Sequence, residues 1–119
     1  MKTQSSQNAL AAHVTELLAP LGKVRSKRMF GGVGFYVDDV FIATIAFDAL
    51  YLKVDDQTRA NFIEAGGTQL VFEQGGKPAP MPYYLPPADA MESPEQMLPW
   101  ARLAMMAALR SANAKPRKK

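Results

Sequence analysis

A single histidine, His13, and two adjacent carboxylate pairs, Asp38-Asp39 and Asp55-Asp56, are the side chains of this sequence best suited to acid–base chemistry. A catalytic histidine needs an orienting partner and a metal-binding one needs further ligands. Neither is suggested near His13, which sits beside Leu10 and Val14 at the edge of an apolar stripe and is read as a boundary residue. Neighbours in a strand point to opposite faces, so the aspartate pairs do not form shared carboxylate sites. Turn and cap roles account for both. Cysteine is absent, which removes disulfides, thiolate metal sites and cysteine nucleophiles and fits a reducing cytosol. No cofactor is expected, and no catalytic constellation is legible.

Three glycines fall within four positions at Gly31, Gly32 and Gly34. A dinucleotide fingerprint would place a further glycine at position 37 and open a helix whose N-terminus faces a pyrophosphate. Val37 stands there, and a β-like run follows. A phosphate-binding P-loop would need Gly-Lys-Ser or Gly-Lys-Thr, which does not occur. The glycines instead mark a bend where main-chain shape matters.

Two segments remain as candidate interaction surfaces. Arg25, Lys27 and Arg28 lead into Met29-Phe30 and the glycines, a basic and aromatic combination able to hold phosphates or acidic partners. Tyr83-Tyr84, with Met81 nearby, has the residue types common at protein interfaces. The net charge of +3 is concentrated at one end. Without Lys115, Arg117, Lys118 and Lys119, ten of the fourteen basic residues face eleven acidic ones. The body of the chain is therefore near neutral, and residues 111–119 are expected to be a disordered basic tail.

The elements that position these residues follow from periodicity. Leu10, Val14, Leu17, Leu18 and Leu21 lie on one helical stripe, with Gly22 placed as a C-cap glycine. Basic residues then alternate from Lys23 to Lys27, as in a strand with one wet face. Val33–Val37, Val40–Phe47 and Leu50–Val54 are rich in β-branched and aromatic residues and predict three more strands. The breaks between them, at Asp38-Asp39 and Asp48-Ala49, are too short for anything but antiparallel neighbours. The run Phe41–Phe47 predicts a central strand, with helices on one side and loops or a partner on the other.

Asp55–Thr58 predicts a capped helix start, and Gly66-Gly67 its end. Gln69–Glu73 is a strand. Pro78, Pro80 and Pro82 make the strand before Tyr83-Tyr84-Leu85 an edge strand, or one that begins after them. Ser93-Pro94-Glu95-Gln96 opens the last helix, whose face of Met97, Trp100, Ala101, Ala104, Ala107 and Ala108 suits close approach to a sheet. Pro99 predicts a kink or a later start. The whole is an α+β chain: a two-layer design with an antiparallel meander sheet, helices on one face, and the order α-β(3-4)-α-β-β-α.

Four blocks in order resemble the TfoX N-terminal domain family: Arg28 with Met29-Phe30-Gly31-Gly32-Val33-Gly34, then Leu50-Tyr51-Leu52-Lys53-Val54, then Met81-Pro82-Tyr83-Tyr84-Leu85-Pro86-Pro87, and last Trp100-Ala101. The resemblance spans about residues 8 to 110, after a flexible stretch at 1–7. It implies a secretion-chaperone-like fold and a stand-alone N-terminal domain without the family's second domain. It also implies a link to bacterial regulators that promote competence-gene expression together with the cyclic-AMP receptor protein.

The resulting expectation is a non-enzymatic regulatory module acting through protein contacts, as a homodimer. The alternative is direct nucleic-acid binding through the basic strand and tail. The polar start lacks the apolar core of a signal peptide, and no apolar run approaches the ~20 residues of a membrane span. A cytoplasmic protein with no membrane partner is expected.

Overall fold

A computed structural model describes the chain at residues 2–29 and 31–114, with side chains described at 8–29 and 31–111. Phe30 and the tail residues Lys115–Lys119, both singled out above, lie outside the described residues. The elements run α1 (Lys2–Leu18), β1 (Val24–Met29), β2 (Gly32–Val37), β3 (Val40–Ala46), β4 (Ala49–Lys53), α2 (Arg59–Glu64), β5 (Gln69–Gln74), β6 (Lys77–Tyr84) and α3 (Pro94–Ala114). Short 3₁₀ turns at Ala19–Leu21 and Ala88–Glu92 lead out of α1 and into α3. The strands form one antiparallel sheet in the order β1-β2-β3-β4-β6-β5. The fold is the two-layer α+β design, with the meander of four strands intact.

Hairpin register sorts the side chains into two faces, because paired residues share a face. Val33, Phe35 and Val37 pair with Ile45, Ala43 and Val40, and Leu50 and Leu52 continue the same face on β4. Against this face lie Val14, Leu17 and Leu18 of α1 and Met97, Ala101, Ala104 and Ala108 of α3, all buried. The alanines let α3 lie close over β3 and β4, while α1 covers β1 and β2. A bulge opposite Phe35 and Tyr36 leaves Ile42 as the extra residue of β3. Ile42 and Ala43 are both fully buried in consequence.

Several local expectations need correction. Gly22 is in extended backbone, not a left-handed cap; a Cβ there would meet the Asp38 carboxylate, which accepts the Lys23 N–H at 3.0 Å. The loop between β3 and β4 is Phe47-Asp48, not Asp48-Ala49, because Ala46 pairs with Ala49. Asp55 caps a turn ahead of α2 rather than the helix itself: it accepts the N–H groups of Gln57 and Thr58, and α2 begins only at Arg59. β6 includes all three prolines and lies between β4 and β5, so it is not the edge.

The prolines are tolerated for a reason of parity. Pro82 offers its carbonyl to the Val54 N–H, so Pro78, Pro80 and Pro82 all turn their missing N–H toward β4. β4 pairs with β6 only at Tyr83 and Tyr84. Beyond Pro82 this side of β6 is a local edge, so Pro78 and Pro80 forfeit no ladder bond, and only Pro82 lacks an N–H opposite β4.

The caps otherwise follow the sequence. Gly66 (φ +87) ends α2 in a Schellman arrangement, with the Gly66 N–H on the Ile63 carbonyl and the Gly67 N–H on the Phe62 carbonyl. The Ser93 hydroxyl accepts the Gln96 N–H, and α3 runs through the exposed Pro99 without a later start.

Candidate functional site

The face of the sheet turned away from the helices carries the candidate site. Across it, Arg25 pairs with Tyr36 and Tyr36 with Phe41; Lys27 pairs with Gly34, Gly34 with Thr44 and Thr44 with Tyr51; and Lys53 pairs with Tyr83. The basic strand is thereby split. Arg25, Lys27 and Met29 face the open side, whereas Arg28 pairs with Val33 on the opposite face. Tyr83 and Tyr84 are split in the same way. Tyr83 is on the open face, but Tyr84 is buried against Phe62, which also carries the Trp100 ring at 5.0 Å between centroids. Arg28 and Tyr84 therefore do not join the surface the sequence suggested, because alternate residues of a strand face opposite ways.

The glycine stretch shapes this face. Gly31 has φ +76 and closes the β1–β2 hairpin. A Cβ on Gly34 would lie 2.5 Å from the Phe41 ring and 2.8 Å from the Met29 Cε. The bare backbone at Gly34 is what lets those two side chains meet over the sheet. Gly32 is similarly confined, against the Ile45 carbonyl. These residues form a surface; they do not form a phosphate loop.

One half of the open face is an apolar groove of about 240 Å³, lined by Met29, Phe41, Ala46, Leu70, Phe72, Met81 and Tyr83 among others. Met29 and Phe72 come from strands at opposite edges, so the sheet curls toward its open side. The Thr44 hydroxyl, which shares the lining, donates to the Val33 carbonyl at 3.1 Å and leaves no open polar demand there. At the rim, Phe47 is 69% exposed and its ring lies 5.9 Å from that of Phe72, with exposed Val71 beside it. Phe47 holds φ +52, in a two-residue turn whose central residues both have positive φ. That conformation costs a residue with a Cβ about 1–2 kcal/mol, and asparagine or glycine is the usual occupant.

From Phe41 and Tyr83 on the groove wall, a row of rings and cations continues across the rest of the face. The Arg25 guanidinium lies 4.4 Å from the Tyr36 ring centroid and also meets the Asp39 carboxylate at 3.4 Å. Tyr36 and Phe41 are 5.1 Å apart, Phe41 and Tyr83 6.1 Å, and the Lys53 ammonium lies 5.3 Å from Tyr83. Burial, and to a lesser degree the neighbouring Tyr36, push the Tyr83 phenol up to about 12, so it stays neutral.

The residues suited to acid–base chemistry are occupied elsewhere. His13 donates its Nε2–H to the Met91 carbonyl at 2.6 Å, tying α1 to the turn before α3. Asp55 takes two hydrogen bonds from Arg110, at 2.6 and 3.1 Å. That guanidinium, followed by the Thr58 and Gln57 backbone N–H groups, outweighs partial burial and lowers the carboxyl from 3.8 to about 2. Among the described residues there is no group of three or more potential metal ligands. No described helix is long and apolar enough to cross a membrane.

An open antiparallel sheet, helix-covered on one face and furnished with an apolar groove on the other, defines a two-layer α+β domain. The chain belongs to the TfoX N-terminal domain family, whose sequence model matches residues 16–108. Comparison with curated proteins returns no match. The match runs from within α1 to near the end of α3 and contains every strand.

The sequence pointed to Arg25, Lys27, Met29, Gly31, Gly32, Gly34 and Tyr83, which the fold does bring to one hairpin or one face. It missed Tyr36, Phe41, Phe47, Lys53 and Phe72. Hairpin arithmetic carried a signal for two of them: Tyr36 and Phe41 flank the Asp38-Asp39 turn symmetrically and must share a face.

Proposed function

We propose that this protein is a non-enzymatic regulatory module that works by protein contact, first with a second copy of itself, in the transcriptional control of competence genes that its family implies. The observation that carries the reading is Phe47. A bulky ring is kept in an unfavourable backbone conformation and left exposed at the mouth of an apolar groove. Strain that the fold does not need for its own packing is a pointer to function, and an exposed aromatic beside a groove is the usual form of an interface anchor. Knob and groove lie on one face, so two copies related by a two-fold axis can offer both to each other. The engagement of His13 with Met91 and of Asp55 with Arg110 supports a structural role for the chain's reactive groups.

The test is an experimental structure of the assembly. A two-fold interface of more than about 1,000 Å² centred on Phe47, Phe72 and Met81 is expected. An assembly joined through the exposed surface of α3 instead, with Phe47 in solvent, would overturn the reading.

A further inference from the structure

We infer that the cation–aromatic row of the open face is a binding site for single-stranded nucleic acid, spanning about four nucleotides. The row crosses the sheet from Arg25 through Tyr36 and Phe41 to Tyr83 and Lys53, with neighbouring centres 4.4 to 6.1 Å apart. Single strands are held by this combination: bases stack on aromatic rings or on a guanidinium plane, and cations between them meet the phosphates. Arg25 supplies both, since its guanidinium carbon lies 4.4 Å from the Tyr36 ring centroid while its charge stays at the exposed sheet edge. Lys27 adds an exposed cation on the same face and has no ion-pair partner among the described residues. The neutral Tyr83 phenol adds no opposing charge.

Charge favours a polyanion at this end of the sheet. Ser111 of α3 lines a hollow together with Asp39, Phe41, Lys53 and Tyr83. α3 ends at Ala114, three residues beyond Ser111, and the sequence after it holds Lys115, Arg117, Lys118 and Lys119. The carboxylates present are engaged: Asp38 with the Lys23 N–H, Asp39 with Arg25, and Asp55 with Arg110. The Asp39 pair is solvent-exposed and hence weak, so a phosphate can displace it. An acidic peptide would use the cations but not the three rings. A duplex keeps its bases stacked inside, away from a sheet face.

The test is fluorescence anisotropy with a labelled oligothymidylate of about twelve nucleotides, the duplex of the same length, and polyglutamate as competitor. Single-strand binding should exceed duplex binding. It should weaken roughly twenty- to fiftyfold between about 50 and 200 mM salt, as three to four phosphate contacts require. Phe41→Leu and Tyr36→Leu should each weaken it roughly tenfold, while Tyr36→Phe retains it. Lys27→Glu, at an exposed position that leaves folding intact, should weaken it and flatten the salt slope, and Asp39→Asn should strengthen it. Truncation after Ala114 should weaken binding without abolishing it. Equal affinity for duplex, equal displacement by polyglutamate at matched charge, or unchanged binding by Lys27→Glu and Tyr36→Leu while truncation alone removes it, would each overturn the assignment.

Discussion

The Asp55–Arg110 pair ties the end of β4 to the last turns of α3 across 55 positions of sequence, and its contribution to stability should be visible as a pH dependence. Asp55→Asn keeps the shape of the side chain and removes its charge. The carboxyl is held at about 2 in the folded protein, against 3.8 ordinarily. Each unit of difference is worth 1.36 kcal/mol, so the upper limit is about 2.4 kcal/mol. The Asp55 side chain is 23% exposed and that of Arg110 34%, and solvent screening lowers the expectation to about 1.5–2 kcal/mol.

Because the folded value is depressed, the stabilisation is fully present above the unfolded value of 3.8. It is lost as pH falls through about 2. Equilibrium urea unfolding of both proteins at neutral pH and again near pH 2 measures it. The variant should be less stable by about 1.5–2 kcal/mol at neutral pH, and the two proteins should converge in acid. An equal difference at both pH values would show that the carboxylate charge is not responsible and would refute the reasoning.

At dilutions where both proteins are single chains, Phe47→Asn should raise the thermal midpoint, since asparagine tolerates the left-handed turn that phenylalanine occupies, by a free energy of about 0.5–1 kcal/mol in differential scanning calorimetry. Gly34→Ala should destabilise by about 1–3 kcal/mol in the same experiment, because its Cβ drives the Phe41 ring and the Met29 side chain apart. Met97→Ala, at a fully buried position under the sheet, should cost about 2–5 kcal/mol by urea unfolding. His13→Ala should cost about 1 kcal/mol, from the lost bond to the Met91 carbonyl, with the loss read from the urea midpoint at an unchanged slope.

The fold was largely legible because short polar breaks leave few options. Asp38-Asp39 permits only a hairpin, and the alanine face of α3 permits only close packing on a sheet. The candidate surface was half legible. Composition drew attention to Arg25–Gly34 and to Tyr83-Tyr84, but strand parity, which depends on register, decides that Arg28 and Tyr84 turn away. The position of Phe47 was hidden because its residue type predicts a strand. Only the Ala46–Ala49 pairing moves it into the turn and out into solvent. The Asp55–Arg110 pair was hidden by distance along the chain: nothing local to either residue names the other. The three prolines of β6 misled because their cost depends on which side of the strand has a neighbour, a property of the sheet rather than of the segment.

The central claim is that Phe47 and the adjoining groove join two copies of this chain. Sedimentation equilibrium over a wide concentration range tests it most directly, with Phe47→Asn run beside the unaltered protein. The unaltered protein should approach twice the 13.0 kDa of one chain. The variant should remain near the single-chain mass while still unfolding in one cooperative transition, so that lost association cannot be ascribed to lost folding. An unaltered protein that stays at 13.0 kDa at the highest concentration, or a Phe47→Asn protein that pairs equally well, would contradict the account.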